Sequence, residues 1–374
     1  MLLGTLALLF LVQLYWYARY MCAPARRLRK ERKSSADNQE PVNQPGGTVV
    51  LCAHNEAYNL SQYLQVLLTQ DYPEYEVIVV DDGSEDDTRA VIENYQVHDA
   101  RLRRTFVPIG ARVRSTKKLA LTLAAKAAKY DYLLLTEADC VPESKHWISG
   151  MMSGFKADKD VVLGFSTYFE QKGHLNRLMR FEALFTGLHY LGAALCGHPF
   201  TGIGRNLAYR KSLFFESGGF TRQMTMPAGD DELFVNHVAT KRNTAAVVTR
   251  DTYTWSQSKK TMKEWLQHRR RHLSSASDYL PGTKARRAVE PLTRALFYLL
   301  SIALVAWYQL SIVSLAVVAL FLIRWIYQTA ILNASARRMG LKRFHMGSIL
   351  WFDIVLPLIS LYMLVVPKRI SNKW

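Results

Sequence analysis

The chain has 374 residues, 49% of them hydrophobic, and 48 Lys and Arg against 31 Asp and Glu, a formal net charge of +17. So basic a chain suggests nucleic acid, but its basic residues gather beside apolar segments and not along an aromatic-interleaved stripe, which excludes nucleic acid and points to a membrane surface. Its four cysteines lie far apart, which excludes a disulfide framework and a zinc site of paired spacing.

Met1 to Tyr17 is apolar with no charge ahead of it, whereas Arg19, Arg26, Arg27, Arg29 and Lys30 follow. Residues 1–18 are therefore expected to be a membrane anchor rather than a cleaved signal, with the following chain cytoplasmic. The span is short, since a transmembrane helix needs roughly 20 residues. Residues 19–47 form a basic juxtamembrane segment and a linker, polar and Pro/Gly-punctuated from Lys30 to Gly47.

The folded part begins with the buried strand Thr48–Ala53, followed by His54-Asn55-Glu56 and an amphipathic run, Leu60 to Leu68. A second buried strand from Glu76 ends in Asp81-Asp82-Gly83-Ser84. Strand, helix, strand implies a parallel sheet with right-handed crossover. The apolar run Tyr132–Leu135 ends in Thr136-Glu137-Ala138-Asp139, where alternation sends Glu137 and Asp139 to the same side. Two such acids suit Mg2+ or Mn2+, with Asp139 as ligand helped by Glu137 and with substrate phosphates completing the shell; the competing reading is an ordinary acidic loop. Ligands collect at the carboxyl ends of parallel strands, so Asn55, Glu56, Asp81, Asp82, Glu137 and Asp139 should converge on one crevice.

Val161–Phe169 reads as a further strand and Leu178–Leu195 as a long apolar helix, after which Gly202 to Arg210 turns into a strand. There is no Walker lysine and no complete dinucleotide fingerprint, which speaks against a nucleotide hydrolase or a dehydrogenase. Gly229-Asp230-Asp231 precedes a helix, Glu232–Thr240, where acids favour the N-terminus. Trp265–His272 has the character of a basic amphipathic helix on a membrane surface.

The C-terminal region is apolar again. Ala295 to Leu332 is long enough for two short spans with a turn at Gln309, and Arg337, Arg338, Lys342 and Arg343 place its end in the cytoplasm. Gly347–Val366, with Asp353 and Pro357, is a span or a re-entrant hairpin. Apart from Asp353 the spans show no paired charge, which weakens a transporter reading. The expected division is 1–18 anchor, 19–47 linker, 48–255 catalytic domain, 256–290 basic interfacial helices, 291–333 transmembrane hairpin and 346–367 a last apolar helix.

Seven pieces together resemble family 2 glycosyltransferases, in particular the hyaluronan, chitin and poly-N-acetylglucosamine synthase branch. They are CAHNE at Cys52, VVDDGSEDDT at Val79, KKLAL at Lys117, TEADC at Thr136, GIGRNLAYRK at Gly202, GDDELF at Gly229 and QHRRRH at Gln267. The resemblance implies an α/β GT-A fold, a Rossmann-like mixed, mainly parallel sheet with flanking helices, plus N- and C-terminal transmembrane helices.

It further implies that Asp81 and Asp82, beside Asn55 and Glu56, hold the nucleoside of a sugar donor, with Lys117 or Lys118 on the base or phosphate side. Asp139 resembles the metal ligand of an Asp-x-Asp signature whose first aspartate is here Glu137. Asp231 resembles the catalytic base of inverting members, supported by Asp230. Gln267 with Arg270 resembles a Gln-x-x-Arg-Trp motif over acceptor and diphosphate, although position 271 is Arg; Arg271-His272 is the alternative match, shifted by one.

The expected function is metal-dependent, inverting transfer of a sugar from a nucleotide donor, UDP above all, to a lipid-linked or glycan acceptor in cell-envelope polysaccharide or glycolipid assembly. The enzyme would be multi-pass in the cytoplasmic membrane, in contact with lipids and with its own copies or partner envelope proteins, its catalytic domain cytoplasmic. The alternatives are a processive polysaccharide synthase and a non-catalytic nucleotide-sugar-binding module.

Overall fold

The computed structural model describes residues 2–34, 45–108, 113, 115–156, 158–224, 226 and 229–366. Helix α1 (Leu2–Trp16) passes through one π turn, Tyr17–Met21, into α2 (Ala23–Ser34). The widened turn shows in the Cys22 amide, which reaches back to the Tyr17 carbonyl at 3.3 Å. The chain expected to become a linker at Lys30 is therefore helical to Ser34, and residues 35–44 of that linker lie outside the described residues.

The α/β domain opens with β1 (Gly47–Ala53), α3 (Ala57–Leu68), β2 (Tyr75–Asp81), α4 (Thr88–His98), β3 (Leu102–Phe106), α5 (Thr116–Ala127) and β4 (Tyr132–Leu135). These strands pair in parallel in the order β3-β2-β1-β4. Every residue of β1 and β2 is buried, as expected of unbroken apolar strands covered on both faces. Next come β5 (Cys140–Pro142), α6 (Trp147–Met152), β6 (Val161–Leu163), β7 (Ser166–Tyr168), α7 (His174–Leu195), β8 (Leu207–Arg210), α8 (Lys211–Glu216), α9 (Glu232–Val238), β9 (Thr244–Ala246) and β10 (Thr254–Ser256). The main sheet runs β3-β2-β1-β4-β8-β6-β9, with β8 antiparallel to both neighbours, and β5, β10 and β7 form a second, smaller sheet. This is the mixed, mainly parallel sheet with flanking helices expected from the sequence.

Val161–Phe169, expected as one strand, is two strands in different sheets. Asn206 causes the break: its Nδ2 donates to the Phe165 carbonyl at 2.7 Å while its own carbonyl accepts the Gly164 amide at 3.0 Å. The second sheet thereby lies beside the carboxyl end of β4, where Glu137 and Asp139 leave the main sheet.

Four helices follow: α10 (Met262–Ser274), α11 (Pro281–Tyr308), α12 (Ile312–Arg338) and α13 (Met346–Val365). Gln309, at φ 44°, turns α11 into α12. α13 is continuous through Pro357, so it is not a hairpin. The segment 2–32, α11, α12 and α13 are each long and apolar enough to cross a membrane. Large apolar side chains such as Leu8, Leu299, Ile302, Leu315 and Leu358 face outward from them. The helices meet the α/β domain where the π turn lies against α7; a Cβ on Gly192 would sit 2.0 Å from the Tyr20 carbonyl oxygen, so only glycine permits that approach.

Contrary to the expectation that these helices lack paired charges apart from Asp353, they hold a cluster of ion pairs around it. Its carboxylate accepts from Arg294 Nη1 at 2.7 Å, Arg324 Nη1 at 3.1 Å, Gln328 Nε2 at 2.8 Å and the Tyr298 hydroxyl. Gln13 joins through Arg324 Nη2 at 3.1 Å, and Glu290 pairs with Arg294 at 3.2 Å. Two arginines offset two acids, so the cluster is formally neutral while linking α1, α11, α12 and α13. Removing one partner of such a buried set costs about 3–5 kcal/mol, because the rest stay desolvated and unpaired. Asp353→Ala should lower the thermal midpoint of the detergent-solubilised chain by roughly 10 °C, measured as loss of monodisperse protein after heating. An unchanged midpoint would show that the cluster does not hold the helices together.

Candidate active site

The acids at the strand ends need positive charge close by, and α5 supplies it. Ser115 caps the helix, its Oγ accepting the Lys118 amide, and so fixes where the two lysines point. Lys117 Nζ lies 2.8 Å from Glu137 Oε1 and 3.0 Å from Asp230 Oδ2, bridging the end of β4 and the loop before α9. Burial works against its charge, but Asp230, Glu137 and Asp231 hold the ammonium well above the usual lysine value. Burial likewise disfavours the charge on Glu137 and Asp230, yet Lys117 keeps both carboxylates below their usual range. Lys118 does not share this role: its ammonium turns away and donates to the carbonyls of Gln223 and Met226, each at 2.8 Å.

Asp231 sits differently. Burial, then the neighbouring charges of Asp230 and Glu232, push its carboxyl up to about 6. The Gly204 amide donates to Oδ2 at 2.5 Å and the Glu232 amide to Oδ1 at 2.8 Å. Each carboxylate oxygen has two lone pairs, so both keep accepting capacity. A Cβ on Gly204 would come to 3.2 Å from Asp231 Oδ2, a tight contact that would require the carboxylate to shift by a few tenths of an ångström.

Asp139 stands at the junction of the two sheets, where Ser256 Oγ of β10 donates to Oδ2 at 3.2 Å. Carboxylate oxygens of Glu137 and Asp139 and the Cys140 sulfur lie within 4.8 Å of one another. The two carboxylates fit a hard divalent cation; the thiol does not, since it is soft, buried and held protonated. It donates to Asp139 Oδ1 at 3.3 Å.

The loops after β1 and β2 are tied to each other. Asn55, at φ 58°, accepts the Glu85 amide on Oδ1 at 2.8 Å, and its own amide donates to Ser84 Oγ at 3.0 Å. The Glu56 amide donates to Thr88 Oγ1 at 2.8 Å, Asp81 Oδ1 accepts the Ser84 amide at 3.0 Å, and the Asp82 amide donates to the Ala53 carbonyl at 2.8 Å. These four residues form one rim, at the carboxyl ends of adjacent strands.

The opposite wall is α10. Trp265 Nε1 donates to Glu182 of α7 at 3.0 Å, and Arg269 also donates to Glu182, so the helix is clamped to the domain. Its cleft face carries His268, Arg271 and His272. Gln267 is exposed and Arg270 points towards α13, donating to the Val366 carbonyl at 3.3 Å, so neither faces the cleft. The 3.6-residue period explains this: with Trp265 buried, the positions that face inward are 268, 271 and 272. The pairing shifted by one residue is the one the helix presents.

Sequence reasoning missed three contributors. Glu232 accepts from His272 Nδ1 at 2.6 Å and from Ser275 Oγ at 2.6 Å; burial opposes the charge on His272, and Glu232 raises its pKa. His268, its Nε2 3.3 Å from that of His272, is pushed well below the usual histidine value by burial and by His272. Arg205 is buried against Tyr168, its guanidinium 4.7 Å from the ring centroid, while its carbonyl accepts from Thr136 and Thr254. Its place straight after Gly202-Ile203-Gly204 was the available signal. Lys117, Glu137, Arg205, Asp230, Asp231, Arg271 and His272 all line one cavity of about 320 Å3.

Comparison with known proteins fits this geometry. Residues 48–218 match the model of Glycosyl transferase family 2. A poly-beta-1,6-N-acetyl-D-glucosamine synthase of Staphylococcus epidermidis is 31% identical over 96 residues, 26% of this chain and 22% of its own length. The chondroitin synthase of Escherichia coli is 24% identical over 226 residues, 50% of this chain and 31% of its own length. The chain thus spans no more than about a third of these relatives. Among solved structures, the mannosyltransferase PcManGT from Pyrobaculum calidifontis, in complex with GDP-Man and Mn2+, aligns over 89% of this chain and 99% of its own with a TM-score of 0.53 and 20% identity. Sheet order, acidic strand ends and the family match agree: residues 48–218 carry a domain that matches glycosyl transferase family 2, built on a GT-A fold.

Proposed function

We propose that the chain transfers a sugar, with inversion, from a nucleotide donor, UDP-linked by preference, to a lipid-linked or glycan acceptor at the cytoplasmic face of a membrane. The observation that carries this reading is Asp231, a buried carboxylate pushed up to about 6 on the wall of the main cavity, facing the cations of α5 and α10. An acceptor hydroxyl must lose its proton as it attacks the anomeric carbon, and a carboxylate whose pKa lies close to the working pH is well suited to take it. Asp230 supports it by holding Lys117 and by adding the negative charge that raises Asp231.

The departing nucleoside diphosphate gains negative charge. Lys117, Arg205 and Arg271 line the cavity and provide fixed positive charge where that group leaves. The rim of Asn55, Glu56, Asp81 and Asp82 takes the nucleoside. A divalent cation, Mg2+ or Mn2+, would be held by Asp139 with Glu137, and when bound it neutralises diphosphate charge. Similarity to two polysaccharide synthases favours a second reading, a processive polysaccharide synthase. His272, at the position of the aromatic residue in the shifted motif, is held by Glu232 instead of presenting a broad ring face, which favours a single transfer.

Membranes of expressing cells, given a panel of nucleotide sugars with Mg2+ or Mn2+, should release nucleoside diphosphate from one donor. Chelator and Asp139→Ala should each abolish the release, and Cys140→Ser should keep it within about twofold, since a protonated thiol is no ligand for a hard cation. No release from any donor would favour the non-catalytic binding module.

The pH dependence has a definite sign. Asp231 accepts a proton only as the carboxylate, so kcat should be constant above its pKa and fall about tenfold per pH unit below about 6. A profile flat between about pH 5 and 8 would remove Asp231 from the role.

A further inference from the structure

The cavity does not end at the carboxylates. Its lining also takes in apolar side chains of α7 and α10 such as Met179, Ala183 and Leu273, and a wall of His189, Phe200, Tyr279 and Arg287. The Arg287 guanidinium lies 4.2 Å from the Tyr279 ring centroid and 5.5 Å from that of Phe200, so two aromatic rings hold it in place. The nearby carboxylate, Glu232, is already occupied by His272, Ser275 and Tyr279. Among the described residues, no carboxylate lies within ion-pair distance of Arg287. Glu232 feels the charge of Arg287 without pairing with it, and an arginine fixed by aromatic rings, facing a cavity and with no ion-pair partner among the described residues, has forked N–H donors suited to an anion such as phosphate.

A second observation says where such an anion would come from. Behind the same wall is a gap of about 10 Å3, lined by Trp16 and Tyr20 of the first helical segment and by Arg286 of α11. His189, Phe200 and Arg287 line both spaces and so form a partition between the catalytic cleft and two of the helices that are long and apolar enough to cross a membrane. His189 is wedged there, 4.7 Å from Trp16 and 5.0 Å from Phe200 between ring centroids. The gap holds no more than about one water, so it is not itself a passage but marks where the cleft comes up against those helices, a position an acceptor dissolved in water has no need of. An acceptor carried on a lipid does, and its phosphate would lie at the partition, with its chain directed into the bilayer and its sugar or hydroxyl directed towards Asp231.

We propose that Arg287, with Arg286 behind it, is the phosphate subsite for a lipid-phosphate acceptor that enters from the membrane between the first helical segment and α11. The proposal rests on the transferase reading only for what happens at Asp231; the subsite binds a lipid phosphate whether or not transfer follows.

The test is binding of farnesyl phosphate and of farnesol to the full-length chain in detergent, followed by tryptophan fluorescence, with no nucleotide sugar present. Farnesyl phosphate should bind at least about tenfold more tightly than the alcohol, as a charge-assisted bidentate contact requires. R287Q should abolish that preference, and R287K, which keeps the charge without the fork, should restore part of it while confirming that the site still folds. Equal affinity for phosphate and alcohol, or a preference that survives R287Q, would overturn the proposal. Inorganic phosphate that competes as tightly as farnesyl phosphate would overturn its lipid half. Because the assay contains no donor, a failed donor panel leaves this result standing, and a failure here leaves the transferase reading standing.

Discussion

Everything at the centre of the molecule is arranged around one ammonium group. Lys117 sits between Glu137, at the end of β4, and Asp230, at the start of the α9 loop, within 3.0 Å of both. Without it, three buried carboxylates, Glu137, Asp230 and Asp231, would share one cavity wall without the ammonium that contacts two of them directly, and like charges crowded in a buried site disfavour one another's ionisation. With it, Glu137 and Asp230 stay ionised and Asp231 alone is pushed upward. Two carboxylates are committed to charge balance, and the third is the one we propose exchanges a proton. A division of roles set by environment is what acid–base chemistry near neutral pH requires.

That arrangement depends on the sheet. The β4 strand carries Glu137 and Asp139 to the seam between the main sheet and the smaller one, and Asn206 creates the seam by splitting β6 from β7. Clamped through Glu182, α10 closes the other side with His268, Arg271 and His272. The polar cluster around Asp353 then ties together the four apolar helices, and the π turn at Tyr17–Met21 sets them against α7. The cleft and the helices therefore meet at a packed contact.

Much of this could be read from the sequence, and the parts that could not share a physical reason. Strand ends are local: an apolar run followed by acids states both the strand and what it presents, which is why Asp81, Asp82, Glu137 and Asp139 were visible from the residues alone. Which lysine faces the cleft was not, because the Ser115 cap decides the rotation of α5 and adjacent residues point about 100° apart. The motif points to Gln267 and Arg270, but burial of Trp265 turns Gln267 to the surface and Arg270 towards α13. The cluster around Asp353 was invisible for a related reason. Gln13, Arg324 and Asp353 stand singly on α1, α12 and α13, and only tertiary packing brings them to the Glu290–Arg294 pair of α11. Arg287, in turn, looks like one basic residue in a basic stretch until Tyr279 and Phe200 are placed against it.

The central claim is that Asp231 removes the acceptor proton and does not serve to hold the donor. Asp231→Asn separates these roles, because it preserves shape and removes the proton-accepting charge. Nucleotide affinity, measured by calorimetry on the purified chain, should stay within about threefold of the parent while acceptor-dependent release of nucleoside diphosphate falls at least a hundredfold, roughly the contribution of a positioned general base. Release at the parent rate, or loss of nucleotide binding together with turnover, would contradict the account.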